Sequence, residues 1–178
     1  MIRLPNRYPV ARQVIAWSLV AGQLILLAGI LWLPGTQTWT LPTWAGVTAW
    51  AVVGAAALVA VAGLAGLGRG LTASPLPSPA AQLRTTGVYA CMRHPVYSAL
   101  LLGGAAFVVL AGRLSRVWVW VALLTLLLIK TRVEEAALTA RFPGYRSYAA
   151  TTPRLVPHPL RCRAARRRQA QATHRAGR

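Results

Sequence analysis

Two apolar runs of membrane-spanning length constrain this chain more than anything else in it. Residues 13–33, "QVIAWSLVAGQLILLAGILWL", and 44–67, "WAGVTAWAVVGAAALVAVAGLAGL", carry no charge at all. A helix that crosses hydrocarbon needs roughly 20 apolar residues, because every backbone polar group must find its partner within the segment. Two shorter runs follow, at 96–112 and 117–129, and only "RLSR" divides them. They read as an antiparallel helical hairpin with a tight turn, the second helix running on past Lys130. The expected fold is all-α: a polytopic membrane protein of four transmembrane helices, the last two forming the hairpin, with a cytoplasmic C-terminal helical segment. Residues 1–160 are expected to be the membrane-embedded domain. Residues 161–178, "RCRAARRRQAQATHRAGR", are expected to be a basic, disordered cytoplasmic tail. Each cation of such a tail gains about 1 kcal/mol beside anionic headgroups.

Composition agrees with lipid as the solvent. Only 12% of the residues are charged, against about 25% in soluble domains. The formal net charge of +18 could suggest nucleic acid, but the cations lie almost wholly outside the apolar runs. With four crossings, the N-terminal arm, the 68–95 loop and everything from Lys130 onward share one side, and that side holds eighteen of the twenty cations. Lys and Arg are retained on the cytoplasmic face. Both termini are therefore expected to be cytoplasmic, in what reads as a bacterial inner membrane, with no nucleic-acid partner. Trp39, Trp44, Trp118 and Trp120 would form an aromatic belt at the outer interface. The first run is too long for a cleaved signal, and no small-residue cleavage site follows it.

Several soluble chemistries are absent. No GxGxxG follows a strand, and there is no P-loop and no HExxH. His94, His158 and His174 are far apart, so no metal site is expected. Cys91 and Cys162 have no CxxC spacing and read as incidental free thiols. The Pro-rich stretch 71–83, "LTASPLPSPAAQL", should be extended rather than helical.

What remains gathers at the cytoplasmic boundary. Residues 83–101 carry Gly87, Tyr89, Arg93, His94, Pro95 and Tyr97 into the third helix. Pro95 suits the first helical turn, and the amides that open a helix can bind an anion. The only two acids of the chain, Glu134 and Glu135, lie just past the fourth run. On a continuing helix, Lys130 and Glu134 share one face and Arg132 and Glu135 another. Only one of these faces is expected to point at the 83–97 loop. A carboxylate near hydrocarbon is costly and tends to be paired, so two local ion pairs are one reading of these residues. A ligand site is the other.

The order "GVY…RHPVY", an apolar hairpin, "EE..L..RFPGYRSY" and "PRLVP" resembles the isoprenylcysteine carboxyl methyltransferase family, with the membrane phospholipid methyltransferases among its relatives. The resemblance covers roughly residues 68–159; the first two helices match only as generic hydrophobic spans. It implies an integral membrane methyltransferase that uses S-adenosylmethionine, bound by Leu83, Tyr89, His94, Pro95, Val96, Tyr97 and Glu134. It implies a carboxylate acceptor on a lipid-like or prenylated small molecule, aligned by Lys130, with Arg93 closing the site or binding a lipid phosphate. Glu135 would pair with Arg132 or another cation. The alternatives are phospholipid N-methylation, which would need a base, an NADPH-dependent sterol-type reductase, and a non-enzymatic membrane protein.

Overall fold

The computed structural model describes residues 8–157 and residue 162. Among them the regular structure is helical: α1 (Val10–Trp32), α2 (Thr43–Leu67), α3 (Pro95–Ala111), α4 (Leu114–Arg141) and α5 (Tyr145–Thr151), with short 3-10 turns at Gly68–Gly70 and Gly87–Ala90. Proline brackets these elements. Pro9 and Pro42 stand immediately before α1 and α2, and Pro95 opens α3. A proline N–H is missing where a helix would leave it unpaired in any case. The stretch 71–83 has no helix, as its prolines require. The tail expected at 161–178 lies, Cys162 apart, outside the described residues, as do His158 and His174.

Three helices are long and apolar enough to cross a membrane: α1, α2 with the turn that follows it, and α4. The sequence reading counts four. The difference is α3, which has 17 residues and at 1.5 Å per residue spans about 25 Å, short of a roughly 30 Å hydrocarbon core. Its length is set by its ends, Pro95 at one and Gly112, in the left-handed region at φ 62°, at the other. A Cβ at Gly112 would also collide with the Trp39 carbonyl oxygen. α4 is longer than its apolar run and carries Lys130, Glu134 and Glu135 within its 28 residues.

α2 packs on α3, α3 on α4, and α4 on α1. The core between them is Ile30, Leu101, Val108, Leu123 and Leu127. Trp17, Trp44, Leu58 and Trp118 face outward, as surfaces for lipid do. Trp120 does not belong with them: its indole N–H donates to Leu101 O at 2.9 Å, inside the α3–α4 contact. Trp39 likewise reaches back, donating to Val109 O at 3.1 Å.

The chain then returns. After α5, residues 153–155 run beside the start of α3. Arg93 N–H and His94 N–H donate to the carbonyls of Pro153 and Arg154 at 2.9 and 3.1 Å. Ser98 Oγ donates to Leu155 O at 2.6 Å. This return brings Cys162 to Cys91, and the two form a disulfide with Cα atoms 4.7 Å apart. The expectation of free thiols is therefore corrected. The pairing spans 71 residues and depends on the return of the chain, which no local spacing encodes.

Candidate active site

Where α3 begins, α4 leaves its apolar run and the Pro-rich stretch passes over them, there is a cavity of about 410 Å³. That volume suits a small organic ligand. Leu83, Tyr89, Arg93, His94, Pro95, Val96, Tyr97, Lys130 and Glu134 all line it. Every candidate residue from the sequence is thus brought to one space. Also in the wall are Gln23 of α1, Leu64 and Leu67 of α2, Tyr145 and Tyr148 of α5, and the stretch from Leu71 to Pro75 with Pro77.

The two acids have separate partners. Glu134 Oε2 accepts from Tyr97 Oη at 2.8 Å, with His94 Nδ1 3.7 Å away. Glu135 lies at the centre of a cluster: Arg93 Nη1 at 3.1 Å, His94 Nε2 at 3.0 Å, and Arg154 through Nε at 3.1 Å and Nη2 at 2.6 Å. A carboxylate that takes two guanidinium groups is ionised and only accepts, so the His94 Nε2 carries the hydrogen. The local pairing expected with Arg132 is not formed; Arg132 is exposed, and the cations on Glu135 come from α3's approach and from the returning chain. Nor does only one acid face the loop. His94, 5% exposed, reaches both through its two ring nitrogens, and its ring stacks on Tyr97 with centroids 5.5 Å apart.

Lys130 is 1% exposed. Its ammonium donates to Gln23 Oε1 at 2.6 Å and lies 5.3 Å from the centre of the Tyr97 ring. Among the described residues it has no carboxylate within ion-pair distance. The i, i+4 pair with Glu134 is therefore not closed; Glu134 turns to Tyr97 instead.

The tyrosines shape the other wall. Tyr89 donates to Gly63 O at 3.0 Å, and α2 admits α3 here because Gly63 has no Cβ: one would stand 2.8 Å from Val96 Cγ2. Tyr148 Oη donates to Tyr89 O at 2.6 Å. Burial raises the pKa of Tyr89 and of Tyr148. Burial, reinforced by the charge of Glu135, pushes Tyr145 up to about 12. Among the described residues the hydroxyl of Tyr145 and Nε of Arg93 meet no partner in good hydrogen-bond geometry, but the Arg93 side chain lies close enough to the hydroxyl to interact with it. The bonds to Glu135 raise the pKa of Arg154. Arg93 lines the cavity, but its Nη1 is committed to Glu135. Its own N–H and that of His94 are taken by Pro153 and Arg154, so they are not among the amides open to an anion.

Sequence reasoning missed Gln23, Tyr145, Tyr148 and Arg154. Gln23 carries a visible signal, an amide in the middle of an otherwise apolar run, where a polar side chain is costly and usually functional. The tyrosines lie in the motif "RFPGYRSY", but nothing local aims them at α3.

The family model described as isoprenylcysteine carboxyl methyltransferase (ICMT) family matches residues 47–140. The match takes in most of α2 and ends before α5. No curated protein and no solved structure matches the chain. The matched stretch is more than half of the chain and holds all nine candidate residues, so this protein belongs to the isoprenylcysteine carboxyl methyltransferase family.

Proposed function

We propose that the protein methylates a carboxylate on an apolar, membrane-partitioned acceptor, with S-adenosylmethionine as the methyl donor. The cavity suits that cofactor in size. Its walls offer aromatic faces, the Glu134 carboxylate and the Tyr145 hydroxyl for a ligand with a cationic and hydroxyl-bearing half. Leu83, Tyr89, His94, Pro95, Val96, Tyr97 and Glu134 would hold it. When bound, S-adenosylmethionine supplies a methyl group on a cationic sulfur, and transfer to a carboxylate consumes opposite charges, which a dry site favours.

The chain's own residues position and exclude water more than they move protons. Tyr97 holds Glu134 by its hydrogen bond, and His94 stacks on Tyr97. Lys130 is the observation that carries the choice of acceptor. A buried ammonium with three donors, one protein hydrogen bond and no contacting acid is completed by an anion. Gln23 and Tyr97 aim it. An amine acceptor would meet this cation as a like charge, and it would also need a base. A nicotinamide dinucleotide would need several converging cations for its phosphates, whereas of the lining cations Arg93 is committed to Glu135 and Lys130 to Gln23. In our reading α3 also crosses the membrane, giving four crossings with both termini cytoplasmic. The cofactor then enters from the cytoplasm and the acceptor from the bilayer.

Calorimetric titration of the detergent-purified protein with S-adenosylmethionine, followed by radiolabelled methyl transfer, tests this. Label should enter an apolar carboxylate as an alkali-labile ester. Alkali-stable label on phosphatidylethanolamine, or binding of NADPH in place of S-adenosylmethionine, would overturn it.

A further inference from the structure

The Pro-rich stretch 71–83 forms one wall of the cavity through Leu71, Thr72, Ser74, Pro75 and Leu83, yet it has little to hold it there. Prolines remove amide donors, and its own hydrogen bonds are short-range, such as Leu76 N–H to Ser74 Oγ at 3.2 Å. Its two ends are pinched together, where a Cβ on Gly70 would stand 3.1 Å from Ala81 Cα. Ser78 Oγ closes the same neck by donating to Gly70 O at 3.2 Å. From the neck outward, among the described residues, the side-chain hydrogen bonds that reach the loop from another element come from Arg141. Arg141, the last residue of α4, donates from Nη1 to Pro77 O at 3.2 Å and to Ser78 O at 2.6 Å, and from Nη2 to Pro79 O at 2.8 Å. Three successive carbonyls converge on one planar guanidinium, a geometry that a lysine cannot reproduce. The guanidinium carbon also lies 5.4 Å from the centre of the Phe142 ring, which fixes its approach. Pro75 and Pro77 are buried beneath.

We infer that Arg141 is a positioning residue that sets cofactor affinity by holding this strap closed over the cavity. It touches neither ligand. α4 thus serves the site twice: Lys130 and Glu134 face the cavity, and two turns later the same helix clamps the cavity's roof. The inference rests on the cofactor occupying the cavity as proposed above. A binding-competent strap populated only part of the time weakens apparent affinity by that fraction. Loss of the clamp should therefore raise the dissociation constant while leaving the chemistry of the bound complex intact.

The test compares wild type with Arg141→Gln and Arg141→Lys in detergent. Hydrogen exchange of the ligand-free proteins reads the amides of Thr72, Ala73, Ser74 and Leu76. Calorimetry reads S-adenosylmethionine affinity, and steady-state methyl transfer separates KM from kcat. In Arg141→Gln these amides should exchange faster and the cofactor dissociation constant and KM should rise about 10–100-fold, with kcat at saturating cofactor within about threefold. Arg141→Lys should fall between. Unchanged exchange, or faster exchange with unchanged affinity, overturns the inference. So does a loss confined to kcat. Should wild type itself fail to bind S-adenosylmethionine, the proposed function falls and the clamp's role in affinity falls with it, whereas wild-type binding with an indifferent Arg141→Gln refutes the clamp alone.

Discussion

Glu134 and Glu135 are neighbours of identical chemistry, and the structure assigns them opposite sensitivities. Glu135→Gln should unfold the protein before it affects any ligand. Its carboxylate is 12% exposed and takes contacts from Arg93, His94 and Arg154. Hydrogen bonds to charged groups contribute about 1.5–3 kcal/mol each. Arg154 is 36% exposed, so solvent screening reduces its share to about 0–1 kcal/mol. The bonds from Arg93 and His94 are the larger part, and stranding a buried cation costs about 3–5 kcal/mol. A glutamine keeps one oxygen but turns an N–H group toward cations. We expect a loss of about 3–5 kcal/mol, or about 6–20 °C in apparent melting temperature for a chain of this size. Glu134→Gln should behave differently. Glutamine retains the oxygen that accepts from Tyr97, and the nearest cationic candidate, His94 Nδ1, is 3.7 Å away. Its stability should fall by about 1 kcal/mol or less, while S-adenosylmethionine affinity falls about 10–100-fold, or about 1.4–2.8 kcal/mol. The assay is the monodisperse fraction surviving a heat ramp in detergent, paired with calorimetry. If Glu135→Gln melts within 2 °C of wild type, or if the two variants lose stability equally, the division of labour is wrong.

Four further outcomes follow from the same geometry. Lys130→Met should retain cofactor binding within a few fold and lose methyl transfer to a carboxylate acceptor by about 100-fold or more, as removal of a transition-state contact does; equal transfer would remove the acceptor assignment. Gly63→Leu should destabilise the α2–α3 contact by about 1–3 kcal/mol through overpacking, because even a Cβ there meets Val96 and Pro95; an unaltered melting temperature would refute the close approach. Tyr145 has a folded-state pKa raised to about 12 by burial, so its contribution is complete below the unfolded value near 10 and is lost as pH rises from there through about 12. Tyr145→Phe should thus lose less stability than wild type between pH 9 and pH 11. Finally, an impermeant maleimide applied after reduction should label Cys162 in inside-out vesicles and spare it in right-side-out ones; the opposite pattern would invert the proposed orientation.

The legible part of this molecule was what a local rule controls. Apolar length placed α1 and α2, and with Pro95 it placed α3, within three residues, since spans and breakers act on their own segment. The motif order led to one cavity for Tyr89, His94, Lys130 and Glu134. What stayed hidden was decided by the chain's return. Helical spacing offered Arg132 to Glu135, but an exposed i, i+3 pair contributes only about 0.2–0.5 kcal/mol. The returning segment delivers Arg154, held there by backbone bonds from Arg93 and His94, so the fold and not helical spacing places its guanidinium on Glu135. The same return joins Cys162 to Cys91. The length of α3 was hidden for a different reason: an apolar run reports what tolerates lipid, whereas Pro95 and Gly112 set where the helix starts and stops.

Two adjacent acids on a helix point about 100° apart, so a flat loop could engage only one of them. His94 removes that restriction. An imidazole presents nitrogens on opposite edges, and this one spans the gap, with Nε2 at 3.0 Å from Glu135 and Nδ1 at 3.7 Å from Glu134. Its Nε2–H is committed to Glu135, which fixes the ring's rotation, and the stack with Tyr97 fixes its plane. Tyr97 in turn donates to Glu134. The rigidity of the Glu135 cluster therefore passes to Glu134 through two aromatic rings and not through the helix backbone. A catalyst that works by placement needs its ligand-facing acid held in this way, because water cannot be relied on to solvate it and a mobile carboxylate would find Lys130 instead. The position of Glu135 beside Glu134 then has a physical reason: Glu135 anchors the histidine whose ring stacks on Tyr97, and Tyr97 in turn holds Glu134 away from an ion pair with Lys130.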